Sequence, residues 1–156
     1  MEEQIMNMPA VALRGLTILP GMIAHFDISR ERSLRAVEEA MEQDQKIYLV
    51  TQRNVDSEDP TQEDLYQMGI VADIKQVVRL QNDVVRILVD GISRAALLGF
   101  TGNEKYLEAE ICYCDSNADS LPEDLREAML LGVREAFHRY AAVVGKISKE
   151  LIRQID

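Results

Sequence analysis

Few residues in this chain have types and spacing suited to chemistry. Ser148-Lys149 sets a hydroxyl beside an amine, the pairing used by serine–lysine proteases. That reaction needs nucleophile and base to meet in a shielded site, and here adjacent residues open a helical stretch, where Ser148 reads as a cap. Gly99-Phe100-Thr101-Gly102 continues into Asn103-Glu104, without the glycine spacing and lysine that cradle a phosphate. Cys112 and Cys114 share one face of a strand but lack CxxC spacing or a second ligand pair, and read as structural thiols. His25 sits on a strand and His138 on a helix surface, which gives neither a triad nor a zinc site. Glu38-Glu39 and Glu123-Asp124 read as solvated faces and first-turn charges. No catalytic residue, cofactor site or metal site emerges.

The bulk properties narrow the partners. The 156 residues carry a net charge of −10, with 47% hydrophobic and 28% charged side chains. That suits one compact soluble domain, or one with a small appendage. An acidic surface has no cationic surplus with which to displace counterions from a phosphate backbone, so nucleic acid is not an expected partner. No apolar run reaches the roughly 18–20 residues of a membrane span, and no basic amphipathic helix suits a membrane surface. The start, Met1-Glu2-Glu3-Gln4-Ile5, lacks a signal peptide's basic-then-apolar order. Two cysteines without a disulfide framework fit a reducing cytoplasm.

Periodicity predicts the elements that must carry any site. Residues 1 to 8 read as a loose tail and Pro9 to Leu13 as a first strand. A turn, a short apolar stretch and a second turn cover Gly15 to Gly21. Ile23 to Ile28 is a strand with Ala24, Phe26 and Ile28 on one face. Ser29 is a plausible cap for a helix burying Leu34, Val37, Ala40 and Met41. Ile47 to Thr51 is a strand, Asn54 to Pro60 a loop, and Thr61 with Glu63 and Asp64 a capped turn or two of helix carrying Leu65 and Met68. From Gly69 the period becomes two. A strand runs to about Leu80, Gln81-Asn82-Asp83 turns, and Val84 to Val89 returns. Asp90-Gly91 turns again, and strands over Ile92 to Phe100 and Tyr106 to Tyr113 complete a meander. Ser120 and Glu123 form a capping box around Pro122. It opens a helix marked by Leu125, Met129, Val133, Phe137, Tyr140 and Val144, which Gly145 closes. Ser148 caps a last helix that ends without a stop signal, as in a fragment of a longer chain.

The order and spacing of several motifs resemble the N-terminal domain of the ATP-dependent Lon protease family. They are Pro20-Gly21-Met22, Arg30-Glu31, Leu49-Val50 with Gln52, Asp59-Pro60-Thr61, Asp64-Leu65-Tyr66, Gly69-x-Val71-Ala72 and Leu88-Val89-Asp90-Gly91. Departures fall at turns and strand ends. His25 stands where the family usually has proline, Ser29 where it has glycine, and Gln81-Asn82-Asp83 where it has proline-aspartate-glycine.

The resemblance implies an α+β fold: a small β-barrel-like (PUA-like) subdomain over 1–116, then a helical, truncated portion over 117–156. It implies a non-catalytic domain that binds unfolded or damaged protein substrates and supports assembly of a Lon hexamer. The parent would be a cytoplasmic ATP-dependent serine endopeptidase. The expected binding surface joins Arg30, Glu31 and Arg32 with Asp90, Gly91, Ile92 and Ser93. The same segments also read as a helix start and a tight turn, and Leu19-Pro20-Gly21-Met22 is a further candidate. A stand-alone adaptor or ligand-binding protein on this fold, and a small hydrolase with an unrecognised site, are the alternatives.

Overall fold

The computed structural model describes residues 4–114 and 121–155, and the chain divides into two compact units, Met1–Asp115 and Ser116–Asp156. In the first unit the order is β1 (Ile5–Leu13), β2 (Ile23–Ile28), α1 (Glu31–Glu42), β3 (Lys46–Thr51), β4 (Met68–Arg79), β5 (Val85–Phe100) and β6 (Glu108–Tyr113). All six strands form one sheet, ordered β2-β5-β4-β3-β1-β6, and a further β5–β6 pairing closes it. Only β1 and β3 pair in parallel, Ala10 opposite Tyr48 and Leu13 opposite Thr51. β2 is the added strand, and among the described residues it pairs with β5 alone.

The apolar runs of β1 and β3 do not alternate because both of their faces are buried. One face sends Val11, Leu13, Ile47 and Leu49 into a core shared with Ile70, Ile74, Ile87, Val89 and the α1 residues Ala36, Val37 and Ala40. The other sends Met8, Ala10, Ala12, Tyr48 and Val50 into the barrel, against Val71, Ala95, Leu97 and Ile111. β5 serves both cores by changing faces. Ile87 and Val89 belong to the first and Ala95 and Leu97 to the second. The change of face coincides with a bulge: Ala72 pairs with Gly91 but Val71 with Ser93, so Ile92 is the extra residue.

Several expectations need correction. Asp90-Gly91 is not a turn, because β5 runs unbroken through it for 16 residues. The glycine serves the bulge and a close backbone contact instead. Residues Ile5–Met8 are not a tail but pair with β6, Ile5 opposite Cys112 and Met8 opposite Ala109, since Met8 fills the barrel. Arg30, not Ser29, is the cap residue of α1, and it makes no side-chain cap bond; its carbonyl takes the first helical bond from Leu34 N–H at 3.0 Å. The buried α1 stripe is Ser33, Ala36, Val37 and Ala40. Met41 lies one residue beyond Ala40, about 100° around the helix, and is exposed. The two thiols, read as structural, are partly buried.

The hairpin expected at Gln81-Asn82-Asp83 is present, with Asn82 and Asp83 left-handed at φ 59° and 58°. So is the capped turn, where Thr61 N–H donates to the Asp64 carboxylate at 3.0 Å. In the second unit, α2 (Glu123–Val144) ends on Gly145 at φ 64°. α3 (Lys149–Ile155) follows, with Leu151 N–H donating to Ser148 Oγ at 3.2 Å. Ser120, expected to cap α2, lies outside the described residues; Pro122 occupies the cap position. No described helix is long and apolar enough to cross a membrane.

Candidate functional site

The expected binding residues fall in two places. Arg30, Glu31 and Arg32 sit where the chain enters α1, and their charges are engaged within the protein. Arg30 donates to the Ala12 carbonyl at 2.7 Å and the Glu58 carbonyl at 3.2 Å. Arg32 donates to Asp59 Oδ1 at 3.1 Å and the Asn103 carbonyl at 3.2 Å. Arg14 reaches the Ser57 carbonyl at 3.0 Å, and Glu31 pairs with Arg35 one turn along. Loop 54–60 is thus held by three guanidinium groups from outside. From beneath, the buried Gln52 amide donates to the carbonyls of Asn54 and Ser57. Burial, reinforced by the neighbouring Arg14, pulls the Arg30 pKa down. This is a clasp: the terminal guanidinium nitrogens named here have carbonyl or carboxylate acceptors, while Arg32 Nε is buried without one.

Asp90, Gly91, Ile92 and Ser93 lie on β5 at the bulge. A Cβ on Gly91 would strike the Leu19 carbonyl oxygen and come within 2.8 Å of Ile70 Cδ1. Bare backbone therefore lets loop 19–22 sit directly on the strand. Gly21 N–H donates to Gly91 O at 2.8 Å, and Gly91 N–H donates to Met22 O at 2.9 Å. Ile23 then pairs with Asp90 as β2 begins. The loop closes over the core through Ile18, which is buried.

This anchoring gathers four exposed apolar side chains around Gly91. Leu19 is 58% exposed, Met22 37%, Ile23 68% and Ile92 46%. Full burial of an exposed side chain of this kind is worth about 1.5–3 kcal/mol, and a partner covering these part-exposed ones gains a fraction of that from each. A concentration of exposed apolar residues marks an interaction surface more often than an accident. Behind it, Asp73 faces Asp90 across the β4–β5 ladder. The hydrogen bond from Lys46 at 3.0 Å holds the Asp73 carboxyl below its usual range.

The structure does not bring the two expected halves together. They lie at opposite ends of β2: Ile23 pairs with Asp90 and Ile28 with Val85, next to Arg30. Five strand steps separate those ends, about 17 Å at 3.3–3.4 Å per residue. Ile23 is not among the expected site residues, although its place beside Met22 at the head of an alternating strand marks it as outward-facing. A separate groove of about 1280 Å³ opens beside Thr61 and Tyr66, where the Arg53 guanidinium lies 5.9 Å from the Tyr66 ring centre. Among the described residues no group of three or more His, Cys, Asp or Glu side chains is placed to hold a metal ion.

Comparison with known proteins places these features. The family model of the ATP-dependent protease La (LON) substrate-binding domain matches residues 7–156. The Lon protease of Lachnoclostridium phytofermentans is 38% identical over 156 residues, all of this chain and 19% of that protein. Lon protease 1 of Bacillus subtilis is 32% identical over 149 residues, 96% of this chain and again 19% of that protein. The chain thus spans about a fifth of the length of these curated relatives. Among solved structures, the N-terminal domain of Mycobacterium avium complex Lon protease superposes with a TM-score of 0.72 at 16% identity. That match covers 96% of this chain and 74% of the other. A Lon N-terminal domain protein from Xanthomonas campestris gives 0.59 at 16% identity, over 84% and 72%. Both show the same α+β fold.

Proposed function

The chain belongs to the LON substrate-binding domain family, and from that premise we propose that it is the non-catalytic capture domain of a Lon-type protease, binding exposed apolar segments of unfolded or damaged proteins. The observation that carries this reading is the set Leu19, Met22, Ile23 and Ile92, exposed on a rigid backbone frame around Gly91. A folded protein hides its apolar side chains and an unfolded one offers them. A surface that gains only by covering apolar groups therefore discriminates between the two states without reading a sequence. Asp90, Gly91 and Ser93 act as the frame. Arg30, Glu31 and Arg32 act as the clasp that fixes loop 54–60.

The wider setting is part of the same proposal. The parent chain carries ATPase and serine endopeptidase domains, works in the cytoplasm as a hexamer, and uses this domain for substrate capture and for contacts between copies. The family, the fold and the relatives' names support that reading.

The test is binding of the 156-residue chain to reduced, carboxymethylated lactalbumin, which stays unfolded, and to the native disulfide-bonded form. Selective binding to the unfolded form, reduced at least tenfold by Leu19→Asp with Ile92→Asp, is expected. Equal affinity for both forms would sink the proposal. So would selective binding that ignores both substitutions, as far as this surface is concerned.

A further inference from the structure

We propose that β2 is a docking edge to which an extended apolar segment of an unfolded polypeptide adds as a further strand. The inference rests on the capture reading above and specifies how the segment is held.

β2 pairs with β5 on one side and with no described residue on the other. Gly91 N–H donates to Met22 O at 2.9 Å, while Met22 N–H turns back to Leu19 O, so the Met22–Gly91 step keeps one of the two bonds of a hydrogen-bonded pair and sets the phase of the ladder. Along an antiparallel ladder such pairs alternate with non-bonded ones. The register Ala24–Val89, Phe26–Ile87 and Ile28–Val85 therefore uses the N–H and C=O groups of Ala24, Phe26 and Ile28. Those of Ile23, His25 and Asp27 point away from β5, toward the open side. Three outward donor–acceptor pairs in a row match only one chemistry, the main chain of an extended peptide.

Open edges are usually blunted by proline, lysine or an inward charge. Here the edge holds no proline and no lysine, and its one carboxylate is Asp27. Asp27 is matched by its own counter-ion, with Arg86 Nε at 2.7 Å and Nη2 at 2.9 Å on the two carboxylate oxygens, so the edge meets an uncharged segment without a lone charge. At its head the edge runs into the apolar set around Gly91, because Ile23 belongs to both. A strand laid along β2 would bring its side chains past Ile23 and the neighbouring Met22 while its backbone pairs with β2. Main-chain bonding ignores sequence, which suits a receptor for many different unfolded proteins. A second copy pairing through the same edge is the competing occupant.

The experiment uses a fluorescein-labelled ten-residue peptide of alternating isoleucine and threonine with lysine at both ends. Two further versions carry N-methyl groups on alternate residues, one on the odd set and one on the even set. Strand addition removes binding for one methylated version, at least tenfold, and spares the other to within about twofold. His25→Pro, which deletes an outward N–H without touching the β5 ladder, weakens the unmodified peptide at least fivefold while the thermal transition survives. If unfolded lactalbumin binds but both methylated peptides bind like the parent, the edge inference is overturned and the apolar reading stands. Lactalbumin binding without peptide binding has the same meaning. If lactalbumin fails to bind, the capture reading falls with it. A dimer broken by His25→Pro, with peptide binding blind to methylation, would assign the edge to a second copy.

Discussion

The Cα of Gly91 lies beneath the backbone carbonyl of Leu19, so close that no side chain fits between strand β5 and the loop above it. The obstacle is backbone rather than a flexible tip, and Ile70 Cδ1 closes the other side at 2.8 Å. Gly91→Ala must therefore lift loop 19–22 off the strand or distort the bulge. The expected cost is about 1–3 kcal/mol of stability, the range for overpacking. Loss of affinity for unfolded lactalbumin should exceed what stability explains, because Leu19 and Met22 move with the loop. Denaturant titration and binding on the same preparation check both parts; unchanged binding would detach the loop from the capture surface.

A second close approach locks the barrel. Tyr48 is fully buried, and its hydroxyl donates to the Ala95 carbonyl at 3.0 Å. Burial raises the phenol pKa well above the usual value. Gly69 leaves the space that this ring needs, since a Cβ there would strike the hydroxyl and come within 2.6 Å of Leu49 O. Tyr48→Phe should cost about 1–3 kcal/mol, the loss when a buried acceptor forfeits its donor. Gly69→Ala should cost at least as much. Combining them should recover only a small part of the loss, because the ring carbon Cζ at 2.5 Å and Leu49 O at 2.6 Å still obstruct. Strict additivity in a double-mutant cycle would show that residues 48 and 69 do not interact.

How much of this was legible follows from where each signal resides. Asn82-Asp83, Thr61 with Asp64, and Gly145 announce local geometry through local chemistry, and the chain obeys them. Asp90-Gly91 carries the same local signature as a turn, yet its glycine answers to Leu19, over seventy residues away in sequence. Met6 and Met8 look like tail because their partner strand, β6, lies about a hundred residues downstream. The apolar surface was legible in pieces. Ile92 and Leu19-Pro20-Gly21-Met22 each stood out, but only the Gly91 hydrogen bonds join them. Arg30 and Arg32 looked available because the carbonyls that occupy them come from β1 and from segments 54–60 and 101–105, which no spacing rule connects.

That occupation makes Arg30 a positioning residue for loop 54–60 and separates it from the capture surface. Arg30→Ala removes donors from the carbonyls of Ala12 and Glu58. Protease cleavage within 54–60 should accelerate, and amide exchange there should lose protection. Affinity for unfolded lactalbumin should stay within about twofold, since β2 keeps the clasp about 17 Å from Ile23. A tenfold loss of binding with the loop still protected would return Arg30 to the binding site.

The acid limb of stability tests the turn that follows that loop. Asp64 accepts from Thr61 N–H at 3.0 Å and from the hydroxyls of Ser57 and Thr61 at 3.3 Å. The Thr61 backbone bond, foremost, pulls its pKa below the ordinary 3.8. A carboxylate with a depressed folded-state pKa binds its proton more weakly folded than unfolded. Its stabilisation is complete above the unfolded value near 4 and fades as pH falls through the lower folded value. Asp64→Asn keeps the shape but cannot titrate. The wild-type melting temperature should therefore fall more steeply than the variant's between pH 5 and pH 3, and the gap between them should narrow in that window. Parallel curves would mean that the Asp64 charge contributes nothing, and that the hydroxyl and amide contacts would hold the turn equally well around a neutral side chain.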